Sequence, residues 1–200
     1  MKDTRKKLSS VAVAVSLSLT APLAAAVDVG LGVSLNNEGE GIGGYGVSLP
    51  LRFGNFTVEP ELSFYGNSRD TTYPLSPTNN SSDKYSRYTL ETGIYWRRQV
   101  VPSVETYLGG RVGYTKDKRS QTYPSSPTNN YSEESSGFYL GPTLGAEYFF
   151  NKHFSLGLDV SLLFESTSRE SVYPSSSTNN RNEDSDNTSY QSRAKLRFYF

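Results

Sequence analysis

The sequence predicts an all-β fold: an eight-stranded antiparallel up-and-down transmembrane β-barrel, with short turns at one end and long loops at the other. Three observations predict it. Apolar residues alternate with small or charged ones at period 2 from residue 27 to the end. The connections between alternating stretches run short, long, short, long. The apolar face carries no charge, while the opposite face carries glycines and charges of both signs. A soluble barrel turns its charges outward to water, so this pattern is that of a barrel turned inside out for lipid.

Residues 1–26 read as a signal peptide. MKDTRKK supplies four basic groups and one acid, an uncharged run from Leu8 to Val27 follows, and Ala24 and Ala26 give the small residues that cleavage requires. Residues 27–200 are then a single domain's worth of chain.

The first strand puts Val27, Val29, Leu31, Val33 and Leu35 on one face, and NNEGEGIG turns it. Strand two carries Tyr45, Val47, Leu49, Leu51 and Phe53 to a tight turn at Gly54-Asn55. Strand three carries Phe56, Val58, Pro60, Leu62 and Phe64 into the first long loop. Strand four shows Tyr88, Leu90, Thr92, Ile94 and Trp96, and a connection at Pro102 leads to strand five with Val104, Leu108, Val112 and Tyr114. Past the second long loop, strand six has Phe138, Leu140, Leu144, Tyr148 and Phe150. Residues 151–153 turn it into strand seven, with Phe154, Leu156, Leu158, Val160, Leu162 and Phe164. The third long loop ends near Ser189, and Tyr190, Ala194, Leu196, Phe198 and Phe200 complete strand eight. Pro50, Pro60 and Pro142 each remove a ladder donor, so bulges are expected there.

Aromatics gather at two levels, one at the short turns and one at the bases of the long loops, as interfacial girdles do. The inward face carries Arg52, Glu59, Glu61, Glu91, Arg97, Glu105, Arg111, Glu147, Asp159, Arg193, Lys195 and Arg197. An eight-stranded barrel has an interior about wide enough for its side chains. These twelve are therefore expected to fill the lumen as one ion-pair network; a small pore for passive transport is the alternative.

The formal net charge of zero gives no case for nucleic acid. With no cysteine, disulfides, thiolate metal sites and thiol nucleophiles are excluded. The single histidine, His153, lies in a turn, and the acidic run Glu183, Asp184, Asp186 lacks the spacing of a calcium loop. No cofactor, no metal and no enzyme activity are expected.

The long loops repeat. YPLSPTNN begins at Tyr73, YPSSPTNN at Tyr123 and YPSSSTNN at Tyr173, each 50 residues after the last, with Arg69, Arg119 and Arg169 four residues upstream. Blocks so poor in apolar area are tips rather than core. Because 50 is even, the repeat preserves which face each strand residue occupies. Tyr and Asn suit adaptable contact surfaces. Two roles stay open for the loops: Tyr73, Asn79, Asn80, Tyr123, Asn129, Asn130, Tyr173, Asn179 and Asn180 contact an external partner (a host molecule, another cell or lipopolysaccharide sugars), or the loops only keep the surface hydrophilic and support the envelope.

The final strand, RAKLRFYF, resembles the carboxyl-terminal assembly signal of bacterial outer-membrane barrels, which gives Phe198 and Phe200 that role. With its leader, four hairpins and inward charges, the chain resembles the small eight-stranded family that includes the OmpA transmembrane domain and OmpX-like proteins. That resemblance implies the cell outer membrane, contact with its lipids and lipopolysaccharide, delivery by the barrel assembly machinery, and a monomer. His153-x-Ser155 is superficially similar to the His-x-Ser of lipid A deacylases, but it stands at the periplasmic end, away from the outer leaflet, so a turn histidine is expected.

Overall fold

Nine antiparallel strands close into a ring in the structure, a computed structural model that describes residues 27–37, 42–73, 80–123, 130–172 and 181–200. The expected signal peptide and the tip residues Asn79, Asn129, Tyr173, Asn179 and Asn180 lie outside the described residues. The strands are β1 (Val27–Asn37), β2 (Ile42–Ser48), β3 (Leu51–Phe53), β4 (Phe56–Thr71), β5 (Ser81–Val101), β6 (Val104–Thr122), β7 (Tyr131–Phe149), β8 (Phe154–Val172) and β9 (Arg181–Tyr199). From β4 to β9 consecutive strands pair, β1 pairs with β9 to shut the ring, and β2 and β3 are two halves of one wall lying between β1 and β4. The wall therefore has eight spans.

The break between β2 and β3 falls at Leu49-Pro50, yet the register does not slip. Ser48 faces Glu61 and Leu51 faces Val58, which leaves room for two rungs and no extra residue. Pro60 and Pro142 also sit in unshifted ladders. The expected bulges at the three prolines are absent. Proline loses only its donor, and the carbonyls still pair: Gly30 N donates to Pro50 O at 2.9 Å and Leu49 N to Pro60 O at 3.0 Å. Register shifts occur instead at Asn36/Asn37 and Gln99/Val101, both at strand ends. The turn into β4 uses Gly54 at φ +59°, the left-handed region that favours glycine.

Period 2 governs burial along every span. In β4 to β9 the odd-numbered residues face inward and the even-numbered ones outward. Leu62, Leu144 and Leu158 are 60%, 62% and 61% exposed, while Glu59 and Arg197 are each 1% exposed. An apolar exterior around a charged interior cannot be the water-facing surface of a monomer; it is a lipid face. The upper aromatic level closes by contact: Phe64 meets Tyr88 at 5.2 Å between ring centroids, and Tyr114 meets Phe138 at 4.9 Å.

Above that level the strands continue. β1 and β2 stop at Asn37 and Ile42, but β4 to β9 run on to Thr71, Ser81, Thr122, Tyr131, Val172 and Arg181. A tilted strand needs about 9–11 residues to cross a bilayer, and the strands β5 to β9 have 19 to 21. The surplus forms a six-stranded palisade outside the membrane, with no described strand above the β1–β2 hairpin.

Candidate functional site: a filled lumen under an open vestibule

The twelve inward charges form one connected chain of ion pairs. Arg52 lies 3.0 Å from Glu105, which also takes Arg97 at 2.9 Å. Arg97 continues to Glu147, which takes Arg197 at 3.1 Å, and Arg197 reaches Glu59 at 2.8 Å. Lys195 bridges Glu59, Glu61 and Asp159 at 3.3, 3.3 and 3.5 Å. Arg111 joins Asp159, at 3.1 Å, to Glu91, and Arg193 joins Glu91 to Glu61, at 3.3 Å. Six cations and six carboxylates balance.

Burial makes that balance necessary. An uncompensated charge out of water costs several kcal/mol, so each must find partners inside the ring. Neutral donors take up further lone pairs. Ser34 donates to Glu61 at 2.5 Å and Ser48 to Glu59 at 2.9 Å; Ser155 donates to Glu147, and Tyr139 to Glu91. Tyr107 donates to Asp159 at 3.2 Å and Tyr199 to Glu147 at 3.1 Å.

These inward tyrosines are absent from the sequence-based site. Their signal is parity: Tyr95, Tyr107, Tyr139 and Tyr199 all fall on odd positions of β5 to β9. They also explain two lumen glycines. A Cβ at Gly113 would collide with the Tyr139 ring, and one at Gly145 would collide with the Tyr107 ring. Each ring lies over the glycine directly opposite it on the neighbouring strand, an aromatic-over-glycine pairing that fills the narrow bore.

Above the plug lies a cavity of about 530 Å³ within the palisade. Its lining holds Tyr65 and Tyr85, four arginines (Arg69, Arg87, Arg119, Arg169) and three carboxylates (Asp83, Asp117, Glu133). Asp117 accepts from Arg87 at 2.6 Å, Tyr85 at 3.0 Å and Ser135 at 3.2 Å.

At the tips, Tyr73 N donates to Asn80 Oδ1 at 2.8 Å, and Tyr123 N donates to Asn130 Oδ1 at 2.7 Å. The same side chain clamps two loops 50 residues apart. Tyr73 is exposed and Tyr123 half-buried.

At the opposite end, His153 Nδ1 lies 2.8 Å from the Tyr199 carbonyl, and its own carbonyl accepts from Tyr199 N at 2.7 Å. Its ring stacks on Phe198 at 5.9 Å. Ser155 points into the lumen, toward Glu147. The histidine thus secures the last strand, and Phe198 and the 75%-exposed Phe200 stand on the lipid face beside it.

A closed, lipid-facing ring with its own charges packed inside defines an integral membrane β-barrel. The chain belongs to the outer membrane protein beta-barrel domain family, whose model matches residues 9–198, and its place is the outer membrane. It is similar in structure to a major outer membrane protein from Thermus thermophilus, at 14% identity and a TM-score of 0.63 over 88% of this chain and all of that one. It is likewise similar to OprG from Pseudomonas aeruginosa, at 12% identity and a TM-score of 0.57 over 87% of this chain and 94% of that one. At such identities the likeness is one of fold. None of the curated protein sequences matches significantly.

Proposed function

We propose that the barrel is a pedestal, and that the palisade and its tips engage a partner outside the cell. One observation supports this reading above the others: two tips rebuild the same Tyr N–H to Asn Oδ1 clamp at the ends of strands that outrun the membrane. A loop that only covered the surface would need neither a repeated clamp nor the ordering entropy of long hairpins. The filled lumen weighs against transport as the main role and leaves the exposed end as the working surface. In the same reading Phe198 and Phe200 mark the strand for the barrel assembly machinery, and the protein acts as a monomer without a cofactor and without catalysis.

The test removes residues 70–82, 120–132 and 170–182 together. Exposed tips of this kind tolerate truncation, so the trimmed barrel should still fold and insert. Adhesion, serum resistance or aggregation of whole cells should then drop. If the trimmed barrel matches the full chain in all three assays, the partner role is lost and an envelope-supporting role takes its place.

A further inference from the structure

The vestibule is wired by the same repeat that builds the tips. Arg69, Arg119 and Arg169 fall on inward positions of β4, β6 and β8, and all three line the cavity. The two later arginines pair backward, each with an acid on the preceding hairpin. Arg119 Nη2 lies 2.6 Å from Asp83 Oδ2, and Arg169 Nε lies 3.4 Å from Glu133 Oε1. Asp83 and Glu133 are themselves 50 residues apart, so one contact is made twice. Arg69 is the first of the series, and the hairpin before it is the short one, whose strands end at Asn37 and Ile42. No described strand stands at that height to carry its acid. Among the described residues Arg69 makes no ion pair, and Tyr65, four residues away on the same inward face, has no hydrogen-bond partner for its hydroxyl.

Among its described lining residues the cavity therefore keeps one positive charge unspent, four arginines against three carboxylates. Beside it the rings of Tyr65 and Tyr85 lie 5.7 Å apart at 57°. Among the described residues its lining has no aliphatic side chain, so an acyl chain or an apolar peptide side chain would find only the two tyrosine rings to bury against. We propose that the vestibule binds an anionic saccharide. Arg69 takes the carboxylate or phosphate through its planar fork of donors. The Tyr65 and Tyr85 rings take the C–H face of a sugar ring, and the carboxylates of Asp83 and Glu133, which keep lone pairs beyond their arginine contacts, accept sugar hydroxyls. A volume of about 530 Å³ lies within the range of small-ligand sites. Arg69 and Tyr65 stand roughly 13 Å apart along the strand, which an oligosaccharide spans and a single sugar does not. No described strand stands above the β1–β2 hairpin, and two sources fit the ligand: a soluble oligosaccharide, or the headgroup of a glycolipid in the outer leaflet.

Isothermal titration of the full barrel in detergent micelles separates these. The probes are a hyaluronan tetrasaccharide, which carries carboxylates; lipid A in mixed micelles, which carries phosphates on sugars; and maltotetraose, which carries no charge. At least one charged probe should bind ten-fold or more tighter than maltotetraose, and which one binds identifies the source. Arg69→Gln and Tyr65→Ala should each weaken that binding ten-fold or more. Both positions lie above the lipid face, and retained heat-modifiable gel migration checks that the variants are folded. Tyr73→Ala with Tyr123→Ala should leave it unchanged, because neither residue lines the cavity; a loss of cell adhesion in that double variant would bear on the tip reading alone. Equal binding of charged and neutral probes, no binding of either charged probe, or an Arg69→Gln barrel that binds like wild type would each overturn the proposal.

Discussion

Arg193 shows what the lumen demands of a single side chain. It is nine-tenths or more buried, bonds Glu91 through two nitrogens and approaches Glu61 at 3.3 Å. Arg193→Ala strips donors from two buried carboxylates and should cost about 3–5 kcal/mol, read by urea unfolding in liposomes. Arg193→Lys keeps the charge but not the fork and should fall between; a loss below about 0.5 kcal/mol for the alanine would place this residue outside the stabilising network. At the other end of the barrel His153 and Ser155 have separate partners, Tyr199 and Glu147. His153→Ala combined with Ser155→Ala should leave lipid A acylation unchanged in cells, and an altered acylation pattern would restore an enzymatic reading. The face of each lumen residue is legible from parity alone, as with Glu59 and Arg197. That these two meet is not: they are 138 residues apart, and only tilt and stagger around the ring bring them to one depth. Tyr107 and Tyr139 escape a sequence reading because aromatics suggest the outer girdles, where most of the chain's aromatics do stand.

Strands set the next scale, and Leu158 tests the one whose two faces differ most plainly. It lies on β8, 61% exposed between the aromatic levels, with buried Asp159 behind it. Leu158→Arg should destabilise by roughly 2–4 kcal/mol near mid-membrane, seen as loss of heat-modifiable, folded protein in outer-membrane fractions. Normal assembly, or a variant soluble without detergent, would refute the lipid-facing assignment. Pairing order and the turn at Gly54-Asn55 follow directly from alternation and turn chemistry. The full reach of the strands is harder to read. Above Phe64 and Tyr88 both faces are polar, as in Asn67, Ser68, Arg69 and Asp70, so period 2 loses its contrast while the ladder continues through Thr71↔Ser81. The prolines mislead for a related reason. A bulge is needed only if an unpaired acceptor must be relocated, and losing one donor per proline leaves the register on either side unshifted.

For the whole molecule, the closed ring and its charge-balanced plug govern permeability. Purified protein in planar bilayers should give at most rare, small openings, because the inward side chains occupy the bore. Steady conductance that shifts with Glu91→Gln or Arg111→Gln would favour a pore. The plug also draws on most of the chain, since β4, β5, β6, β7, β8 and β9 each contribute at least one of its charges. That has a consequence for inheritance. Copies of one tip motif set 50 residues apart invite misaligned recombination, which would excise or add a whole hairpin. An even repeat length means that no surviving side chain would be turned inside out, so a six- or ten-strand descendant would keep a lipid-compatible exterior. Its interior would not survive as well. Excising residues 74–123 removes Glu91, Arg97, Glu105 and Arg111 together, so the balance of two cations and two carboxylates is kept while Arg193, Glu147 and Asp159 each lose a partner. Hairpin number is thus free to drift at the lipid face and is held at its present value by the bore.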